Sequence, residues 1–141
     1  MEKISKKYVD LVKMHKALGN AIKRYKNATE THLDLETQED RRDSTIKRFE
    51  LTYDLLWKYL REYIATTQGL TFDSPRKVFQ QCLTSNLTDI DETKQLLELI
   101  ESRNLTSHTY DADLANEVAI KITHYFNVIH TIIMRVDPKN I

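Results

Sequence analysis

The sequence predicts an all-α protein: an antiparallel up-and-down bundle of four main helices and one short helix. Three observations carry this. Apolar residues recur at alternating steps of three and four along most of the chain, the spacing that lines one face of a helix. Glycine and proline occur only twice each, too few turn formers for a fold of many short strands. Helix-starting residues (Thr37, Ser74-Pro75, Asp89 and Asp111) stand at the gaps between the periodic stretches.

Each element follows from its own residues. The first helix runs from about Lys3 to the low thirties, with Ile4, Tyr8, Leu11, His15, Leu18, Ile22 and Tyr25 as its stripe. Asn27 to Glu39 is polar, and Thr37 with Asp40 three residues on is read as the cap of the second helix. That helix continues to about Thr67 through Ile46, Phe49, Tyr53, Leu56, Leu60 and Tyr63. Leu55, Trp57 and Ile64 widen the stripe, so this helix is expected at the centre. Gly69 can take the left-handed conformation that ends it. Ser74 caps and Pro75 opens a short third helix with Val78, Phe79, Cys82 and Leu83 inside, stopping at Asn86. Asp89 and Glu92 form a capping box for the fourth helix, where Leu96, Leu97, Ile100 and Leu105 are expected inside. Asp111 caps the last helix, Asp113 suits its first turn, and Pro138 ends it. Leu114, Val118, Ile122, Tyr125, Ile129, Ile132 and Val136 form its stripe.

Composition bounds the function. The 141 residues suit one domain, residues 1–141, able to bury a core without disulfides or metal. Basic and acidic residues balance at 21 each, so no global field recruits nucleic acid and any such binding needs a local patch. Cys82 is the only cysteine, so no internal disulfide forms and a reducing, cytoplasmic setting is expected. No run of apolar residues is long enough for a membrane span, and the charged N-terminus is not a secretory signal.

Chemistry concentrates in Arg103-Asn104-Leu105-Thr106-Ser107-His108-Thr109-Tyr110. Five helical steps put Arg103 and His108 about 140° apart on an unbroken helix. Asn104 and His108 would share a face, as would Arg103 and Tyr110. Either the helix breaks near Ser107, or a site is assembled from more than one chain. Taken alone, the cluster reads first as an arginine paired with a carboxylate and a histidine capping a helix, ahead of a functional site. Arg48 and Glu50 are candidates for the same cleft, with an ordinary surface pair as the alternative. Arg76-Lys77 and Asp40-Arg41-Arg42-Asp43 are read as solvated charges. Tyr8, Tyr53, Tyr59 and Tyr63 are read as packing residues, and His15 as a core or interface histidine. His124 and His130 are six apart, a spacing that separates them around a helix and argues against a metal site.

Arg103, four residues, His108, one residue, Tyr110 resembles the Arg-x4-His-x-Tyr motif of HEPN-domain proteins of the HepT type. Ile46-Lys47-Arg48-Phe49-Glu50-Leu51-Thr52-Tyr53-Asp54-Leu55-Leu56-Trp57-Lys58 and Ser74-Pro75-Arg76-Lys77-Val78-Phe79 are similar to the second and third helices of the nucleotidyltransferase substrate-binding proteins of that group. The likeness spans about Asp43 to Ile133. Leu96 departs from it, standing where many relatives carry tryptophan.

The resemblance implies a homodimer whose Arg-His motifs face one cleft, with a minimal nucleotidyltransferase as partner and no cofactor. Two functions stay open. One is a binding subunit that presents substrate to that enzyme in a two-component, toxin–antitoxin-like system. The other is a metal-independent ribonuclease toxin, silenced when AMP is added to Tyr110. In that reading His108 is the base toward a ribose 2′-hydroxyl, since histidine titrates near neutrality. Arg103 stabilises the phosphorane, Asn104 and Ser107 bind phosphate or orient His108, and Tyr110 orients or stacks on the RNA. A third reading is a helical interaction module whose motif is only structural.

Overall fold

A computed structural model describes residues 2–141. These are 85% helical, in five helices with no strand among them. The order is α1 (Glu2–Glu30), α2 (Leu35–Gln68), α3 (Pro75–Thr84), α4 (Ile90–Leu105) and α5 (Ala112–Arg135), with 3-10 turns at Thr106–His108 and Pro138–Asn140. No described helix is long and apolar enough to cross a membrane.

The helix ends follow the residues that satisfy their free backbone groups. Gly69 ends α2 at φ 69°, and its amide donates to the Ala65 carbonyl. Ser74 accepts from the Lys77 amide ahead of Pro75 at the start of α3. Asn86, at φ 63°, turns the chain after α3. Asp89 and Glu92 exchange both capping-box bonds, at 2.8 and 3.0 Å. The start of α2 corrects the reading of Thr37. Asp34 is the cap, accepting from the Thr37 amide at 3.1 Å and the Thr37 hydroxyl at 2.7 Å. The Asp34 carboxylate satisfies a first-turn amide of a helix that already begins at Leu35, so Thr37 lies inside it. Those two bonds hold the Asp34 carboxyl below the usual carboxylate range.

α2 is central and packs against every other helix. Phe49, Leu56, Tyr59, Leu60 and Ile64 are fully buried along it. Tyr53 and Tyr63 are buried beside them, and the Trp57 ring lies under the Arg61 guanidinium at 4.9 Å. The Tyr59 hydroxyl donates to the Val136 carbonyl of α5, and that of Tyr8 to the Ile133 carbonyl at 2.9 Å. α4 turns its face differently from the apolar reading. Leu96 and Leu99 are fully buried, whereas Leu97, Ile100 and Leu105 are half-buried. Thr93, Ser102 and Thr106 complete the inner stripe, and each hydroxyl has a partner, as a buried hydroxyl requires. Arg42 is also corrected: it is buried rather than solvated. Its Nη1 donates to Asn116 on α5 at 3.1 Å and its Nε to Asp43 at 3.0 Å, joining two helices.

Candidate functional site

The break expected near Ser107 is present. α4 ends at Leu105, the 3-10 turn follows, and Asp111 caps α5 by accepting from the Asp113 and Leu114 amides. Hydroxyl side chains build the turn. Thr106 donates to the Arg103 carbonyl at 2.6 Å, Ser107 to the Asn104 carbonyl at 2.9 Å and Thr109 to the Thr106 carbonyl at 3.0 Å. Arg103 and Asn104 stand in the last turn of α4, where carbonyls lose their helical partners, so Thr-Ser-x-Thr supplies a terminus and a change of direction together. His108 and Tyr110 emerge from the turn. Their rings meet edge to face with centroids 6.2 Å apart, and Tyr110 is 87% exposed. An aromatic that exposed contributes nothing to the core.

Arg103, in the last turn of α4, reaches across to α2. Its Nη1 lies 3.1 Å from Glu50 Oε2 and donates to Thr106 Oγ1 at 3.1 Å, and its Nη2 lies 3.6 Å from Asp54 Oδ2. Glu50 and Asp54 stand four residues apart on one face of α2, both within reach of the guanidinium fork. The Arg103 Nε is buried without a hydrogen-bond partner. Beside them the Tyr53 phenol is pushed up to about 12, chiefly by burial, with the Asp54 charge adding to it and Arg103 and Arg76 opposing.

The predicted residues therefore fall into two groups. Glu50 joins Arg103. Asn104, Ser107, His108 and Tyr110 are exposed around the turn, although the Ser107 hydroxyl is already engaged by the Asn104 carbonyl. Arg48 belongs to neither. It stands about 200° around α2 from Glu50, and its Nη1 donates to the Ala17 carbonyl of α1 at 3.0 Å. Asp54 was missed, and its signal was the four-residue step from Glu50. Arg76 and Lys77 lie in exposed ion pairs with Glu101 at 3.8 Å and Asp73 at 3.2 Å. Among the described residues no three His, Cys, Asp or Glu side chains converge as a metal site.

The arrangement offers an exposed imidazole and phenol, and a guanidinium whose charge two carboxylates offset. An anion arriving at Arg103 competes with both for the guanidinium.

A protein from Thermus thermophilus, whose crystal structure is solved, is 26% identical and superposes with a TM-score of 0.73, over 87% of this chain and 98% of that one. A chain from a toxin–antitoxin complex solved with AMP-PNP shares the fold at 17% identity and a TM-score of 0.60, over 89% of this chain and 96% of that one. No curated protein sequence matches the chain. The family pattern for nucleotidyltransferase substrate binding protein like sequences matches residues 4–137. That span takes in α1 from Ile4 onward, the other four helices and the turn bearing His108, and the chain belongs to this family.

Proposed function

We propose that the chain is the substrate-binding, HepT-like subunit of a two-component, toxin–antitoxin-like pair whose other member is a minimal nucleotidyltransferase. Family membership across nearly the whole length carries this reading. The shared bundle of the toxin–antitoxin neighbour supports the same kind of pairing. The protein acts in the cytoplasm as a homodimer, with the Arg103 and His108 of two chains facing one cleft. Tyr110 is the residue modified, and its exposure supports access by an enzyme.

The edge-to-face pair of His108 and Tyr110 at a helix break favours a second reading, a metal-independent ribonuclease. His108 takes the proton of a ribose 2′-hydroxyl, and that oxygen attacks the adjacent phosphorus. The bond to the 5′-oxygen breaks, and this oxygen takes a proton from solvent. The products are a 2′,3′-cyclic phosphate and a 5′-hydroxyl. Arg103 exchanges Glu50 and Asp54 for the phosphorane oxygens. Asn104 holds phosphate. AMP on Tyr110 adds negative charge beside Arg103 and fills the approach.

One experiment separates the readings. The purified chain, its intact mass first checked for modification, is tested for binding to the nucleotidyltransferase and for metal-free cleavage of a tRNA pool. Cleavage by unmodified protein, lost in His108→Ala and leaving cyclic-phosphate ends, establishes the ribonuclease. Binding without cleavage establishes the substrate-binding subunit. Neither activity in folded, unmodified protein overturns both.

A further inference from the structure

α1 packs closely along α2 but meets α5 sparingly. The two helices meet at the Tyr8–Ile133 hydrogen bond and at one crossing around Phe126. Phe126 of α5 lies over Gly19 of α1, so close that a Cβ on Gly19 would sit 2.8 Å from its ring. His15 stacks on the same ring at 4.1 Å and 8°, and its Nε2 is 3.1 Å from the Phe126 carbonyl. On both sides of this crossing the seam opens. Toward the end of α5 it forms a hollow of about 500 Å³ between Tyr8, Val12, His130, Ile133 and Met134. On the other side, two further hollows continue past Asn20, Lys23 and Thr123 to Tyr25 and Ile120.

The groove is apolar along its floor and charged along one rim. Ile120 and Met134 are 59% and 60% exposed at its edge, although both are large aliphatic side chains. Lys16, Lys23 and Lys26 line the α1 side, and no carboxylate lines any of the three hollows. The chain has no net charge, so this is a local segregation of positive charge. Lys26 pairs weakly with Glu30, while Lys16 and Lys23 form no ion pair among the described residues. From residue 8 to residue 29, α1 rises about 30 Å.

A row of apolar hollows along that length, bridged by Phe126 at the crossing and bearing one cationic rim, complements a helix that carries an apolar stripe flanked by carboxylates. A nucleic acid backbone fits less well, because it gains nothing from the apolar floor. The trough shares no residue with the Arg103 and His108 cluster, so both surfaces can be occupied together. We propose that the α1–α5 groove is where this subunit docks its nucleotidyltransferase, receiving an acidic amphipathic helix of that enzyme. The inference rests on the pairing proposed above.

The test uses the full chain and a purified minimal nucleotidyltransferase from the same organism, by calorimetry. Lys16→Glu with Lys23→Glu, and Val12→Asp with Met134→Asp, are each expected to weaken binding at least 30-fold. Lys94→Glu, on α4, is expected to leave it within twofold. Circular dichroism checks each fold. Acetylation of Lys16 and Lys23 in the wild type, read by mass spectrometry, is expected to slow at least fivefold in the complex while Lys94 is unchanged, which keeps the test decisive should a variant not fold. If the wild type binds and neither the variants nor the labelling respond, the groove assignment alone is wrong. If the wild type does not bind, the pairing and the groove assignment fall together. Two other results overturn the assignment in favour of another occupant. In one, the variants turn a wild-type dimer into monomer with enzyme binding intact, and the groove holds a second copy. In the other, they lose only RNA binding, and the rim serves nucleic acid.

Discussion

Neutralising one carboxylate at a time shows which of the two holds Arg103. Glu50→Gln and Asp54→Asn preserve shape and remove charge. At the 3.1 Å separation of Arg103 and Glu50 the bare Coulomb attraction is about 1 kcal/mol in water and about 5 kcal/mol at an effective dielectric near 20. Desolvation offsets much of this. The Glu50 side chain is 22% exposed and that of Arg103 30%, so the net coupling expected is about 1–1.5 kcal/mol. Asp54 lies farther, at 3.6 Å, and is 40% exposed, so its coupling is expected at about 0.3–0.5 kcal/mol. The assay is urea unfolding at fixed protomer concentration, in double-mutant cycles with Arg103→Gln. With a slope of about 2 kcal/mol/M, the Glu50 term corresponds to a midpoint shift of about 0.5–0.8 M. In 1 M salt the Asp54 term is expected to vanish and the Glu50 term to shrink by less than half. Coupling to Asp54 equal to or above that to Glu50 would refute the reasoning, because distance and exposure would then not be ranking the two pairs.

Three further expectations follow from the packing. Burial holds His15 below its ordinary value, with His130 adding to the effect and the Phe126 carbonyl opposing it. The unfolded chain therefore takes the proton first: stability is full above about pH 7.5 and declines as pH falls through about 6.5 toward the lowered folded value, by at most about 1.4 kcal/mol per unit. Thermal unfolding of His15→Leu is expected to lose this slope, and an unchanged slope would remove His15 as its source. Gly19→Ala is expected to lack the roughly 1 kcal/mol that alanine gains over glycine inside a helix, because its Cβ meets the Phe126 ring. The gain should return in a Phe126→Leu background, and its appearance in the parent would contradict the close approach. Tyr59→Phe orphans the Val136 carbonyl in a fully buried site and is expected to cost about 1–3 kcal/mol in urea. A loss below about 0.5 kcal/mol, the low end of hydrogen-bond values, would mean that water reaches that carbonyl.

Local rules read much of this fold from the chain. Gly69, Ser74-Pro75, Asp89 with Glu92, and Asp111 each act on backbone groups within four residues, so their sequence context is nearly their whole environment. The break near Ser107 was legible for the same reason. What escaped depends on how helices are rotated against one another. Thr93, Leu99 and Ser102 help define the inner face of α4, yet two of them are polar and invisible to an apolar search. Arg42 looked like part of a solvated run, and only its meeting with Asn116, 74 residues away, explains its burial. Within the candidate site, Arg103 and Glu50 came together as a pair drawn from separate helices, but Arg48 did not join them. Two residues along a helix are nearly opposite faces, and periodicity alone does not say which face turns to α4.

The tyrosine anchors at the end of α5 have a consequence for the order in which the protein can be completed. Tyr8 and Tyr59 belong to the first two helices, but the carbonyls they bind, at Ile133 and Val136, lie at the end of the fifth. On the ribosome, the first two helices emerge well before those acceptors exist. The α1–α2 hairpin can form during synthesis while both hydroxyls remain bonded to water. The end of α5 then replaces that water at both helices. A chain stalled before Ile133 would carry both tyrosines without these acceptors, so the end of α5 is what completes the anchoring of α1 and α2.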